Sequence, residues 1–137
     1  MADLSGRCLC GAVTWTYSGP ILWAGHCHCE SCRRATAAAF TSFFGAQRAN
    51  VNWNGPLTDQ FSSEGKVKRQ FCTTCGTHMT YQNAKWPSET HLYAASLDDP
   101  TQFQPQAHFH WQERLTWVAL DDNLPRFSAS ADNAAPL

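Results

Sequence analysis

Seven cysteines fall into three short clusters, Cys8-Leu9-Cys10-Gly11, Cys27-His28-Cys29-Glu30-Ser31-Cys32 and Cys72-Thr73-Thr74-Cys75-Gly76, and none stands alone. Residues 1–7 carry no apolar core of signal-peptide length, so the expected location is cytoplasmic. Thiols stay reduced there, and an odd number of clustered cysteines then reads as metal ligands rather than as a disulfide framework.

The spacing predicts two zinc ions per chain. In Cys72-x-x-Cys75-Gly76 the two intervening residues make a tight turn that aims both sulfurs at one point, and the glycine lets the backbone curl beneath them. Cys8 and Cys10, two apart at the mouth of a strand, face the same way. Together these four thiolates satisfy tetrahedral zinc at Zn–S distances of about 2.3 Å, a closed shell that staples the first strand to a hairpin. The alternative is that such cysteines are free and pack as small hydrophobes. Cys27-x-Cys29-x-x-Cys32 supplies three thiolates at a strand-to-helix corner. Three protein ligands leave a fourth position for water or substrate, which is how catalytic zinc sites are built. The competing reading closes that shell with His26, His28 or a distant His. Both His26 and His28 alternate with the cysteines on an extended stretch and are expected to point away.

The remaining pattern predicts a mainly β fold with little helix. Val13, Trp15 and Tyr17 alternate with Thr14 and Thr16, a half-buried strand. Residues 40–44, 51–53, 78–81, 91–95 and 108–111 read as further strands. A hairpin over residues 61–71 turns at Glu64-Gly65, its second arm running straight into Cys72. Glu30 to Ala38 is the one short-helix candidate. At 137 residues the chain fits a single zinc-binding β-domain over 1–127, and the Ala/Ser/Asp/Asn-rich residues 128–137 read as a flexible C-terminal tail.

Charge narrows the partners. The formal net charge is -1, and seven thiolates holding two Zn²⁺ would make it more negative, so nucleic acid is not an expected partner. No stretch approaches the roughly 20 apolar residues of a membrane helix, so no membrane partner is expected either. The oligomeric state is not legible. Beside the three-cysteine cluster, Arg33 and Arg34 are candidates for binding a substrate carboxylate by bidentate hydrogen bonds, or else they form a solvated helix face. Asp98-Asp99-Pro100 reads as a turn capped by its own side chains rather than as a proton-transfer pair. His108 and His110, two apart, are candidates to share one cavity.

The order Cys-x-Cys-Gly, Cys-His-Cys-x-x-Cys-Arg-Arg, and Ser63-x-Gly65-x-x-x-Arg69-x-Phe71-Cys72-x-x-Cys75-Gly76 resembles the glutathione-dependent formaldehyde-activating enzyme family, and Leu97-Asp98-Asp99-Pro100 and Leu124-Pro125-Arg126-Phe127 extend the likeness. The resemblance implies a small antiparallel β-fold of the Mss4-like type, with a structural zinc on Cys8, Cys10, Cys72 and Cys75 and a catalytic zinc on Cys27, Cys29 and Cys32. It further implies a carbon-sulfur lyase-like activity that condenses formaldehyde or a related small aldehyde with glutathione to a hemithioacetal. A second reading is a non-catalytic zinc module, acting as a small-thiol carrier or sensor or as a protein-interaction domain. One departure is local: Ala35-Thr36-Ala37-Ala38 stands where relatives often place a glycine near the helix end.

Overall fold

The period-2 alternation near the N-terminus is realised as a strand with one face fully buried. Val13, Trp15 and Tyr17 are buried while Thr14 and Thr16 are exposed. In the computed structural model, which describes residues 2–131 and 136–137, the chain is mainly β and forms two units, Met1–Trp23 with Phe44–Phe103, and Ala24–Phe43 with Gln104–Leu137.

In the first unit, strands β1 (Ala2–Arg7), β2 (Thr14–Gly19) and β5 (Val51–Asn54) form an antiparallel sheet in the order β1-β2-β5. Gly6 pairs with Trp15 and Trp15 with Trp53 across it. Strand β1 had no counterpart in the sequence pattern, because Asp-Leu-Ser-Gly-Arg offers one large apolar residue and alternation needs several. Strands β6 (Leu57–Ser62), β7 (Val67–Cys72), β8 (His78–Asn83) and β9 (Glu89–Tyr93) follow one another antiparallel in a second sheet. The β6–β7 hairpin is the one expected, and its turn is built from Ser63, Glu64 and Gly65 in left-handed conformation. The β7–β8 register shifts between Gln70 and Phe71, just before Cys72 enters its turn.

The second unit holds all but the first residue of β3 (Trp23–Cys27), the strand whose end at the Cys27 corner was expected, the first residues of β4 (Thr41–Gln47), and the short β10 (His108–Phe109). Strand β10 runs parallel to β3, with His108 opposite His26 and Phe109 opposite Cys27, so the sheets are mixed rather than purely antiparallel. The chain leaves β3 at the cysteines and enters α1 (Glu30–Thr36), the only α-helix among the described residues. Part of the expected tail, residues 132–135, lies outside the described residues. Of the remainder, Ala129 C=O accepts from His110 N–H at 3.2 Å and Leu137 N–H donates to Arg126 C=O at 2.7 Å. No described helix is long and apolar enough to cross a membrane.

The helix stops two residues earlier than expected. Ala37 takes the left-handed C-cap conformation at φ 54°, ψ 30°, the position at which glycine carries no Cβ penalty. Ala37 is exposed, so glycine there would lose no buried contact. Ala37→Gly is therefore expected to stabilise the fold by about 1 kcal/mol, offset in part by the greater freedom of glycine in the unfolded chain. A rise in the denaturation midpoint measures it, and a fall would show that Ala37 carries no strain.

Candidate functional site

Four sulfurs meet in the first unit. Cys8 and Cys10 flank exposed Leu9 after β1, Cys72 ends β7, and Cys75 follows in the β7–β8 turn. All four Sγ atoms lie within 4.8 Å of one another. Cys8 Sγ is 3.6 Å from Cys10 Sγ, which is 3.8 Å from Cys72 Sγ. A tetrahedron with Zn–S bonds of 2.3 Å has edges of about 3.8 Å, so these separations match what one zinc ion requires. The backbone is arranged for anionic sulfur as well. Val13 N–H donates to Cys8 Sγ, Ala12 N–H to Cys10 Sγ and Cys75 N–H to Cys72 Sγ. The Thr77 hydroxyl beside Cys75 brings that thiol down to about 5. The two turns that make this possible carry Gly11 and Gly76 at φ +81° and +79°, where a side chain would be strained.

The second cluster belongs to the second unit. Cys27 closes β3, Cys29 is the N-cap of α1 with its Sγ accepting the Cys32 N–H at 3.3 Å, and Cys32 is buried in the first turn. The three Sγ atoms lie within 4.8 Å of one another, and no fourth His, Cys, Asp or Glu of the described residues joins them. Cys29 first and Cys32 second push the Cys27 thiol well up, because three sulfurs this close cannot all ionise unaided. A divalent cation removes that conflict, and thiolates are the donors zinc prefers. Both clusters thus fit a metal ion by distance and by donor chemistry.

The histidines stand apart from the sulfurs, as the alternation predicted. His26 Nδ1 hydrogen-bonds Ser42 Oγ at 2.8 Å. His28, fully buried between the Phe40 ring and the edge of Trp111, pairs through Nε2 with His108 Nδ1 at 2.9 Å. Burial is the main reason that His28 is lowered to about 4. His108, itself fully buried, meets Asp122 through Nε2 at 2.9 and 3.1 Å. That hydrogen bond is the main reason Asp122 titrates near 2. Arg126 Nη1 closes the chain on Asp122 Oδ1 at 2.8 Å.

Other candidates are resolved by position. Arg33 donates through Nε to His28 C=O at 3.3 Å and through Nη2 to Glu113 C=O at 3.2 Å, clasping two backbone segments. Arg34 is exposed and pairs with Glu30 at 3.7 Å one helical turn back. The structure does not bring His108 and His110 into one cavity. His110 is left-handed at φ 52°, which breaks the strand alternation, and its Nδ1 turns to Glu113 Oε2 at 3.1 Å. Asp98 and Asp99 are turn residues: Asp98 Oδ2 accepts from Ser5 Oγ, and Asp99 Oδ1 accepts from Thr101 N–H and Oγ1. Asp122 was not singled out from the sequence. It sits in an irregular loop, and nothing in Leu120-Asp121-Asp122-Asn123 distinguishes a histidine partner from a solvated acid.

Fold and site define a small, mainly β protein with two thiol clusters, one of four sulfurs and one of three, each able to hold a metal ion. Residues 3–113 match the family described as glutathione-dependent formaldehyde-activating enzyme, and the chain belongs to that family. It is 32% identical over 89 residues to an uncharacterized lyase of Schizosaccharomyces pombe, covering 64% of this chain and 64% of that protein. It is 23% identical over 131 residues, 86% of this chain and 81% of the other, to a protein of Halomonas elongata whose name assigns it provisionally to the glutathione-dependent formaldehyde-activating enzymes. In structure it is similar to a Rhodobacter sphaeroides protein solved by crystallography, at a TM-score of 0.60 and 27% identity, covering 72% of this chain and 93% of the other.

Proposed function

We propose that this chain is a zinc-dependent carbon-sulfur lyase-like enzyme that joins a small thiol, glutathione foremost, to formaldehyde or a related small aldehyde. The observation that carries the reading is the contrast between the clusters: four sulfurs converge in one, only three in the other, with no fourth protein donor among the described residues. Family membership supports the choice of thiol and aldehyde. The four-cysteine group is the structural centre in this reading, and Cys27, Cys29 and Cys32 are the reactive one.

A zinc ion held by three thiolates would act as a Lewis acid and lower the pKa of a thiol entering its fourth position. The protein's own residues hold the setting in place. Arg33 ties the carbonyl of His28 to that of Glu113, and the Cys29 cap anchors the helix on which Cys32 rides. Exposed Arg34, joined by a long ion pair to Glu30, can exchange that partner for a substrate carboxylate. In the reaction the thiol loses its proton, the sulfur forms a bond to the carbonyl carbon, the C=O π bond opens, and a proton ends on the new oxygen.

Cobalt in place of zinc makes the test direct. Glutathione at millimolar concentration is expected to shift the charge-transfer and d–d bands, and S-methylglutathione, which cannot form a thiolate, to leave them alone. Unchanged spectra in folded protein would rule out glutathione as the substrate. If glutathione binds but formaldehyde equilibrates with the hemithioacetal no faster than in buffer, the chain is a thiol carrier and not an enzyme.

A further inference from the structure

Cys27-His28-Cys29 is held by its middle residue. His28 N–H donates to Phe109 C=O at 3.0 Å, its carbonyl accepts from Arg33 Nε at 3.3 Å, and its ring is bonded through Nε2 and boxed by Phe40 and Trp111. Successive side chains of an extended segment point to opposite sides, so a fixed His28 ring dictates where the two flanking sulfurs point. What fixes the ring is a hydrogen-bond chain that begins at Asp122.

The direction of that chain follows from its ends. An ionised carboxylate only accepts, so His108 carries its proton on Nε2. At the other end, His28 Nδ1 is buried without a hydrogen-bond partner among the described residues. A buried N–H without an acceptor costs more than a bare lone pair, so the His28 proton sits on Nε2 and is donated to His108 Nδ1. One proton arrangement therefore satisfies every bond from Asp122 to His28. Arg126 secures the starting point, donating through Nη1 to both Oδ1 and the carbonyl of Asp122 while its guanidinium lies 4.8 Å from the Trp111 ring centroid.

We infer that Asp122 is a positioning residue for the three-thiolate centre, acting through His108 to lock the His28 ring and thereby to aim the sulfurs of Cys27 and Cys29 at one metal ion. The inference rests on the reading that those cysteines with Cys32 hold a metal. Outer partners of this kind typically change metal affinity by about 10- to 100-fold when removed.

The experiment is competitive metal release from the zinc-loaded full-length chain by a chromophoric chelator. The unaltered protein should yield two ions in separate phases, the more readily released one assigned by its loss in Cys29→Ser. Asp122→Leu should weaken that phase by about 10- to 100-fold and leave the slower phase unchanged, and Asp122→Glu should restore most of the loss. A single ion in the unaltered protein would defeat the metal reading itself. Two ions with Asp122→Leu behaving as the parent, or weakening both phases equally, would overturn the role of Asp122 alone. Should Asp122→Leu fail to fold, nitrogen-15 imidazole spectra of the unaltered zinc-loaded chain decide the matter. His108 and His28 should both be protonated at Nε2 and bare at Nδ1, and the opposite tautomer on either ring would overturn the inference.

Discussion

Cys72→Ser is expected to leave the first unit unfolded or insoluble, whereas Cys29→Ser is expected to leave a folded chain that has lost one metal ion. Cys72 is fully buried at the end of β7, and its cluster ties that strand to the segment after β1, more than sixty residues away in sequence. A structural zinc site contributes about 10–16 kcal/mol in small domains. That is as large as the whole stability of a typical domain, about 5–15 kcal/mol, so with zinc in this cluster, as proposed, losing one thiolate ligand removes the margin. Cys29, by contrast, joins residues only a few positions apart. Serine is also a good N-cap, so its hydroxyl can take over the bond from Cys32 N–H and keep α1 in place. Metal content and far-ultraviolet circular dichroism on both variants, purified under reducing conditions, make the comparison. Equal damage would mean that the three-cysteine centre is structural too.

Trp15→Ala should cost about 3–5 kcal/mol, the range for removing a large aromatic from a packed core. Trp15 is 1% exposed, its ring lies 6.1 Å from that of Phe44, and its indole N–H donates to Ser96 Oγ at 3.1 Å. Truncation removes the ring contacts and leaves a cavity on the buried face of β2, beside Phe44 and Ser96. Ser96 keeps its own bond to Tyr93 C=O, so the loss is mainly one of volume. Denaturant unfolding of the zinc-loaded protein measures it as a lower midpoint at constant slope. Trp117, 71% exposed, is the control, and its alanine variant should stay within about 0.5 kcal/mol of the parent. A cost below about 1 kcal/mol at Trp15 would show that its neighbours collapse into the space.

The two thiol clusters were legible in the sequence because the motifs that form them are local. Two residues between Cys72 and Cys75, one between Cys8 and Cys10, and six from Cys27 to Cys32 bring the sulfurs within each motif close whatever the rest of the chain does, but only the fold carries Cys8 and Cys10 to Cys72 and Cys75. Alternation at Val13, Trp15 and Tyr17 marked β2 for the same reason: a period-2 face needs only its own residues to be recognised. Strand β1 escaped notice because its apolar positions are few and its existence depends on the partner that pairs with it, and of β3 only its end at the Cys27 corner was legible.

Tertiary structure decided everything that couples distant residues. Only parallel pairing of β10 with β3 sets His108 opposite His26, within reach of His28, and only the loop that returns through Arg126 brings Asp122 beneath it. No spacing rule links residue 28 to residues 108 and 122, because the hydrogen bonds that join them depend on the path of an irregular loop. The same holds for the arginines. Adjacency to Cys32 made Arg33 and Arg34 equivalent on paper, but the rotation of about 100° between consecutive helical positions points the first at two carbonyls and leaves the second in solvent. Short-range geometry can be read from order along the chain, whereas a buried polar chain exists only once the backbone has closed around it.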